Sequence, residues 1–209
     1  MKNIQETIID RLTPEIIADM ETIHFTADLH HGHDAIVEIC GRLCSKEYHE
    51  KWIVESFNSC VLKKHTVYLI GDISFAHRPD ANRFIGRLNG NKFLILGNHD
   101  KSLEHSTQFT QITQIKDFTY SRFGLNIHIV LCHYPLASWN RKIHGSWHLY
   151  GHVHGRFENT GLSYDVGIDN ADNKYNISCH GRPINLYEVC ILMNNIQKSG
   201  RENGYEINT

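Results

Sequence analysis

Five short apolar runs in this chain break off abruptly, and each breaks on the same small set of polar residues. TIHFTAD (22–28) leads into Asp28-Leu29-His30, TVYLI (66–70) into Gly71-Asp72, and KFLIL (92–96) into Gly97-Asn98-His99-Asp100. IHIVLC (127–132) leads into His133, and WHLY (147–150) into Gly151-His152-Val153-His154. Turns use Gly, Asn and Asp because these accept left-handed backbone or bond their own chain. A turn does not explain the histidines. The runs themselves have the length and the β-branched or aromatic content of strands, as do SYDVGI (163–168) and INLYEV (184–189), which reads as the last strand.

Between the strands lie segments of helical period. Residues 34–43 place Ile36, Ile39 and Leu43 on one face, and 45–61 follow Ser45 as N-cap with Trp52, Ile53, Phe57 and Val61. Residues 78–88 have Pro79 near the start, Phe84, Ile85 and Leu88 on one face, and Asn89-Gly90 as a stop. Strands alternating with helices predict an α/β fold, in which sites form at the strand ends along one edge of a sheet. The polar breaks would then converge on one crevice. No repeat, low-complexity tract or linker divides the chain, so one domain over 1–209 is expected. Ile4, Ile8, Ile9 and Leu12 give residues 1–21 an amphipathic pattern of their own, a helical extension against the body or a partner surface.

Composition narrows the function. With 209 residues, 41% hydrophobic and 21% charged, the chain can bury one sizeable core. A formal charge of -2 gives no basic track for a nucleic-acid polymer or an anionic membrane surface. No apolar run approaches the ~20 residues of a membrane helix, and MKNIQETIIDRL is not patterned as a signal peptide. The six cysteines are scattered, as in a reduced cytoplasmic protein; Cys40 and Cys44 lack a second Cys/His pair at zinc-site spacing. Nothing in the sequence specifies an oligomeric state. Histidine is the unusual residue, with 16 copies.

Taken singly, each polar break residue is more often a surface or capping group than a ligand. Together, Asp28, His30, Asp72, Asn98, His133, His152 and His154 exceed what one tetrahedral ion takes. A bridging carboxylate and mixed nitrogen and oxygen donors suit two divalent transition-metal ions, Mn, Fe, Zn, Co or Ni, rather than Ca or Mg. Two ions ~3.5–4 Å apart form the clamp used to hydrolyse phosphate esters.

The order Asp-x-His, Gly-Asp, Gly-Asn-His-Asp, His, Gly-His-x-His resembles the calcineurin-like metallophosphoesterase superfamily. The resemblance runs from about residue 23 to 189, and FTADLHHGH, HYPLASW and LYGHVHG look like its small bacterial and phage members. It implies a four-layer β-sandwich of two mixed sheets flanked by helices. It implies that Asp28, His30 and His154 hold the first metal, that Asp72 bridges, and that Asn98, His133 and His152 complete the second. A hydroxide shared by the ions would attack phosphorus in line. His99 would stabilise charge or protonate the leaving oxygen, with Asp100 supporting the turn or orienting His99. The expected activity is hydrolysis of a small phosphodiester or nucleotide, ahead of a monoester. The alternatives are a non-catalytic scaffold of the same fold and a nuclease acting on DNA or RNA. ISFAHRP after Gly71-Asp72 lacks the Asp-Arg-Gly of phosphoprotein phosphatases, which argues against a Ser/Thr protein phosphatase. His33 and Arg141 are further candidates for substrate phosphate, Asn58 reads as a helix-end polar residue, and 170–183 is longer than the resemblance leads one to expect.

Overall fold

The computed structural model describes residues 7–157, 160–170 and 177–202. In chain order these form α1 (Pro14–Met20), β1 (Ile23–Thr26), α2 (Ile36–Ile39), α3 (His49–Cys60), β2 (Thr66–Ile70), α4 (Arg78–Arg87), β3 (Asn91–Ile95), β4 (Gln111–Thr113) and β5 (Ile115–Arg122). They continue with β6 (Leu125–Cys132), β7 (Trp147–Tyr150), β8 (Ser163–Asp165), β9 (Ile184–Asn185) and α5 (Leu186–Glu202). The strands build two mixed sheets, one ordered β4-β3-β2-β1-β9 and one β5-β6-β7-β8. In the first, β1 to β4 are mutually parallel and β9 is antiparallel to β1. In the second, β6, β7 and β8 are parallel and β5 is antiparallel to β6.

Side-chain alternation along the strands places the core. Phe25, Tyr68, Ile70 and Ile95 of the first sheet share one buried cluster with Ile127, Ile129, Leu131 and Leu149 of the second. Val67, Leu69 and Leu94 point the other way, onto Ile53 and Phe57 of α3 and Phe84 and Ile85 of α4. Helix α5 adds Leu186, Val189, Cys190 and Met193 to the inter-sheet cluster, beside Met20 of α1. The protein is therefore α/β, with two mixed sheets flanked by helices as in a sandwich. The outer side of the second sheet carries the loop after His133: Asn140 donates to Asp117, Trp139 packs on His148, and the Leu136 amide donates to His148 Nε2.

Several elements depart from the sequence expectations for local reasons. The helix expected over 34–43 shrinks to α2, because Gly41 takes a left-handed φ of 62°. Ile39 and Leu43 are left exposed and Arg42 turns inward. The last strand stops after two residues. Asn185 Oδ1 accepts from the Glu188 amide and Glu188 Oε2 from the Asn185 amide, a reciprocal cap that starts α5 instead. Strand β5 was not expected; it joins β6 through Phe123-Gly124, both left-handed as a two-residue hairpin requires. In the N-terminal stretch, Ile8, Ile9 and Leu12 pack against the core that contains Ile16 and Met20, while Ile4 and residues 171–176 of the long 170–183 stretch lie outside the described residues. Among the described residues no helix is long and apolar enough to cross a membrane.

One buried pair away from the strand ends gives the fold a pH signature. His24 on β1 donates from Nε2 to His65 Nδ1 at 2.9 Å, and His65 Nδ1 also accepts from the Leu62 amide. Burial, then repulsion from His65, lowers the His24 pKa from 6.5 to about 4, with Glu188 opposing and Arg182 adding. A histidine held neutral in the fold but basic when unfolded stabilises fully above pH 6.5 and loses that contribution as pH falls towards 4. Urea midpoints measured over this window should fall with pH in the wild type, and more shallowly in His24→Gln.

Candidate metal centre

The parallel strands β1, β2 and β3 end on the same edge, so the segments after them lie side by side. Pairing continues past the strands: the Asp28 amide donates to Gly71 O (3.0 Å), His30 to Asp72 O (2.9 Å) and His31 to Ile73 O (3.0 Å). From the second sheet, the segments after β6 and β7 are tied by the Gly151 amide on His133 O at 3.0 Å. A single bridge between Ala27 and Gly167 joins the two edges.

Five of the expected ligands sit in the left-handed region: Asp28 (φ 59°), His30 (52°), Asp72 (55°), His152 (72°) and His154 (50°). Each such residue costs on the order of 1 kcal/mol, and strain of this kind persists where surrounding bonds over-determine it. At Asp72 that constraint comes from Asp100. It is fully buried, and its two oxygens accept from the amides of Gly97, Asp72 and Ile73. Asp100 thus supports the turn; its hydrogen bonds run to Asp72 and its neighbours.

The side chains gather in two groups, Asp28 with His30 and His154, and Asp72 with His133 and His152, each with ligand atoms within 4.8 Å of one another. Asp72 links them, with Oδ2 3.4 Å from His133 Nε2 and 3.8 Å from His30 Nε2. His30 Nε2 is also 3.7 Å from Asp28. His133 Nδ1 donates to Ile70 O at 2.9 Å and His154 Nδ1 to Asp169 Oδ2 at 2.7 Å, which leaves each Nε2 a lone pair. Among the described residues, both ring nitrogens of His30 and Nε2 of His133 are buried without a hydrogen-bond partner. A buried unpaired polar atom costs about 1–3 kcal/mol. Orphaned imidazole nitrogens facing buried carboxylates fit a cation.

The charges agree. Burial raises the Asp28 pKa, opposed by His133 and His154. Burial would raise Asp72 too, but the nearby His133 and the His99 amide outweigh it and hold Asp72 down at about 2. His133 is the reverse: burial alone would lower it, yet Asp72 and Asp28 bring it to about 9. Burial drops His30 to about 3. The two carboxylates thus raise the affinity of His133 for a cation, and a proton and a metal ion would compete for its Nε2.

The remaining sequence candidates fall as follows. His99 is half-exposed at the mouth, stacked on Phe75 at 4.1 Å; its amide donates to Asp72 Oδ1 (3.0 Å) and its Nε2 lies 3.9 Å from Asp72 Oδ2. Asn98 is exposed on the same turn, with no side-chain hydrogen bond to either group. His33 meets His30 edge-on at 5.9 Å, but its Nδ1 accepts from the Ile36 amide at the start of α2. Arg141 is exposed in a left-handed turn after the His133 loop, without a hydrogen bond or ion pair to either group. Asn58 bonds Arg87 O and the Asn89 amide at the end of α4, as a helix-end residue.

Sequence reasoning missed Phe75, Arg42, Asp165 and Asp169. Asp169 carried a legible signal, since SYDVGID is one more strand running into a Gly and an Asp. Asp165 accepts from the Gly155 and Gly167 amides, and burial, then the nearby Asp28, raises its pKa. Cys40, set aside in the sequence, lies 3.5 Å from His154 Nδ1.

The fold and site together define an α/β protein with a candidate two-metal centre between the edges of two mixed sheets. No protein-family model matches the chain. It is similar to the gene 66 protein of Mycobacterium phage L5, 25% identical over 209 residues that cover 86% of this chain and 97% of that one. The gene 66 protein of Mycobacterium phage D29 is 26% identical over 179 residues, 72% of this chain and 89% of that one. An uncharacterized protein of Methanocaldococcus jannaschii is 28% identical over 138 residues, 65% of this chain and 70% of that one. The crystal structure of a protein of unknown function from Aquifex aeolicus matches with a TM-score of 0.59 at 22% identity, over 81% of this chain and 98% of that one, a likeness of fold alone.

The close approach of strand ends makes one glycine decisive. A Cβ on Gly97 would stand 2.3 Å from Asp72 Oδ1 and 2.5 Å from the Asp72 amide. Gly97→Ala should displace Asp72 and lower the metal bound at saturation, read by elemental analysis. Gly86→Ala on α4, where a Cβ meets only Gln108 Oε1 at 3.4 Å, should leave metal content unchanged.

Proposed function

We propose that this chain is a calcineurin-like metallophosphoesterase, a hydrolase of small phosphodiesters or nucleotides that works with two divalent transition-metal ions. The observation that carries the reading is the pair of His/Asp groups joined by Asp72 and lined with orphaned imidazole nitrogens. Asp28, His30 and His154 would hold one ion, Asp72 both, and His133 and His152 the other, with Asn98 reaching in from its turn. When bound, the ions would supply Lewis acidity towards the phosphoryl oxygens and a water activated at neutral pH.

The protein's own groups do the rest. On this reading His99, its ring held against Phe75 and its backbone tied to Asp72, would face the leaving oxygen. From there Nε2 can give its proton to that oxygen. The preference for a diester rests on charge. A monoester dianion calls for a further cation, and Arg141, the sequence's candidate for that task, bonds to neither group. The net charge of -2 supports a small substrate over a polymer. The six thiols, all free, fit the reducing cytoplasm.

The protein loaded in turn with Mn, Ni, Co or Zn should hydrolyse an aryl phosphodiester faster than the matching monoester. The reverse order would overturn the diester preference, and a fully loaded protein inert towards a panel of phosphomonoesters, diesters, cyclic nucleotides and dinucleotides would overturn the enzyme.

His99→Ala tests the proton donor. A positioned general acid contributes about 10²–10⁴-fold, so kcat/KM should fall on that order for a ribose leaving group and less for nitrophenolate, with metal content unchanged. Equal slowing of the two substrates would reassign His99 to stabilising phosphoryl charge.

A further inference from the structure

We propose that Arg42 and Asp169 together support one of the two groups, Asp28, His30 and His154, and leave the other to separate supports, with Asp169 as the positioning residue for His154. The inference rests on the metal-binding reading above.

Arg42 is buried, and every one of its five N–H donors has an acceptor. Nε donates to Asp169 Oδ1 (2.8 Å) and Nη2 to Asp169 Oδ2 (2.7 Å) and Asp28 O (2.7 Å). Nη1 donates to Leu29 O (2.8 Å) and to His49 Nε2. The planar fork satisfies all of these at once, which a lysine ammonium cannot do. The carbonyls of Asp28 and Leu29 belong to the segment in which Asp28 and His30 both hold left-handed φ, so the guanidinium clamps the strained backbone that carries two ligands. Through Asp169 it reaches the third, because Asp169 Oδ2 also accepts from His154 Nδ1 at 2.7 Å. That bond fixes the proton on Nδ1 and aims Nε2 away from Asp169.

None of these bonds reaches Asp72, His133 or His152. His133 is oriented by Ile70 O and the Asp72 backbone by Asp100. Cys40, His154 and Asp169 also lie close enough to suggest a third cation position. The oxygens of Asp169 already accept three hydrogen bonds, two of them from a guanidinium, so a cation there would meet a fixed positive charge. The cluster supports a ligand; it does not form a site.

The test is a Mn²⁺ titration of the full chain, stripped by chelator, followed by calorimetry. The wild type should show two binding steps. Asp169→Asn should weaken one step about 10–100-fold and leave the other unchanged. Arg42→Lys should weaken the same step, and His152→Ala the opposite one. The tautomer of His154 in the unsubstituted protein, read by ¹⁵N NMR, gives a measurement independent of whether the variants fold. It should carry its proton on Nδ1 in the stripped protein and in the protein loaded with diamagnetic Zn²⁺. Equal weakening of both steps in Asp169→Asn, or a His154 proton on Nε2, would overturn the proposal. A wild-type protein that takes up no Mn²⁺ would overturn the metal reading itself, and this inference with it.

Discussion

The carboxylate of Asp72 is the point on which the site is built. One of its oxygens faces ring nitrogens of His30, His99 and His133, and the other accepts the His99 amide. A buried carboxylate is tolerated only when it is paired and hydrogen-bonded. Much of the surrounding architecture provides that pairing. β1 and β2 run parallel so that their ends align, Gly97 lacks a side chain so that β3 can close on Asp72, and Asp100 ties the Gly97 amide after β3 to the Asp72 and Ile73 amides after β2.

The two sheets divide the work. The first brings Asp28, His30 and Asp72 from parallel strand ends, and the second brings His133, His152 and His154 to the edge bridged at Ala27 and Gly167. Each group of three draws on both sheets, so neither forms unless the inter-sheet core of Phe25, Ile70, Ile129 and Leu149 holds the edges in register. Left-handed backbone at five of these positions is the local cost of that convergence, offset by bonds that run between segments rather than within them.

Strand-end chemistry was legible in one dimension because its signal is local. An apolar run followed at once by Asp or His says where the strand stops and what stands at its end, and this held for Asp28, His30, Asp72, His133, His152 and His154. Helix α5 was misread because INLYEV has strand-like content, while the cap between Asn185 and Glu188 is a two-residue detail inside it. β5 was passed over because Asp117, Thr119 and Ser121 face outward and dilute its apolar pattern.

Arg42 and Asp169 mark the boundary of what a sequence can tell. They stand 127 residues apart, on an exposed-looking helical stretch and past the end of a strand, and nothing near either names the other. Likewise Arg141 is adjacent in sequence to the His133 loop, yet its left-handed turn leaves it exposed and bonded to neither group. Residue types and strand ends follow from neighbours along the chain, through periodicity and turn chemistry. Which buried charge meets which, and whether a nearby arginine arrives at all, depends on backbone directions that are set only when two sheets and their connections pack together.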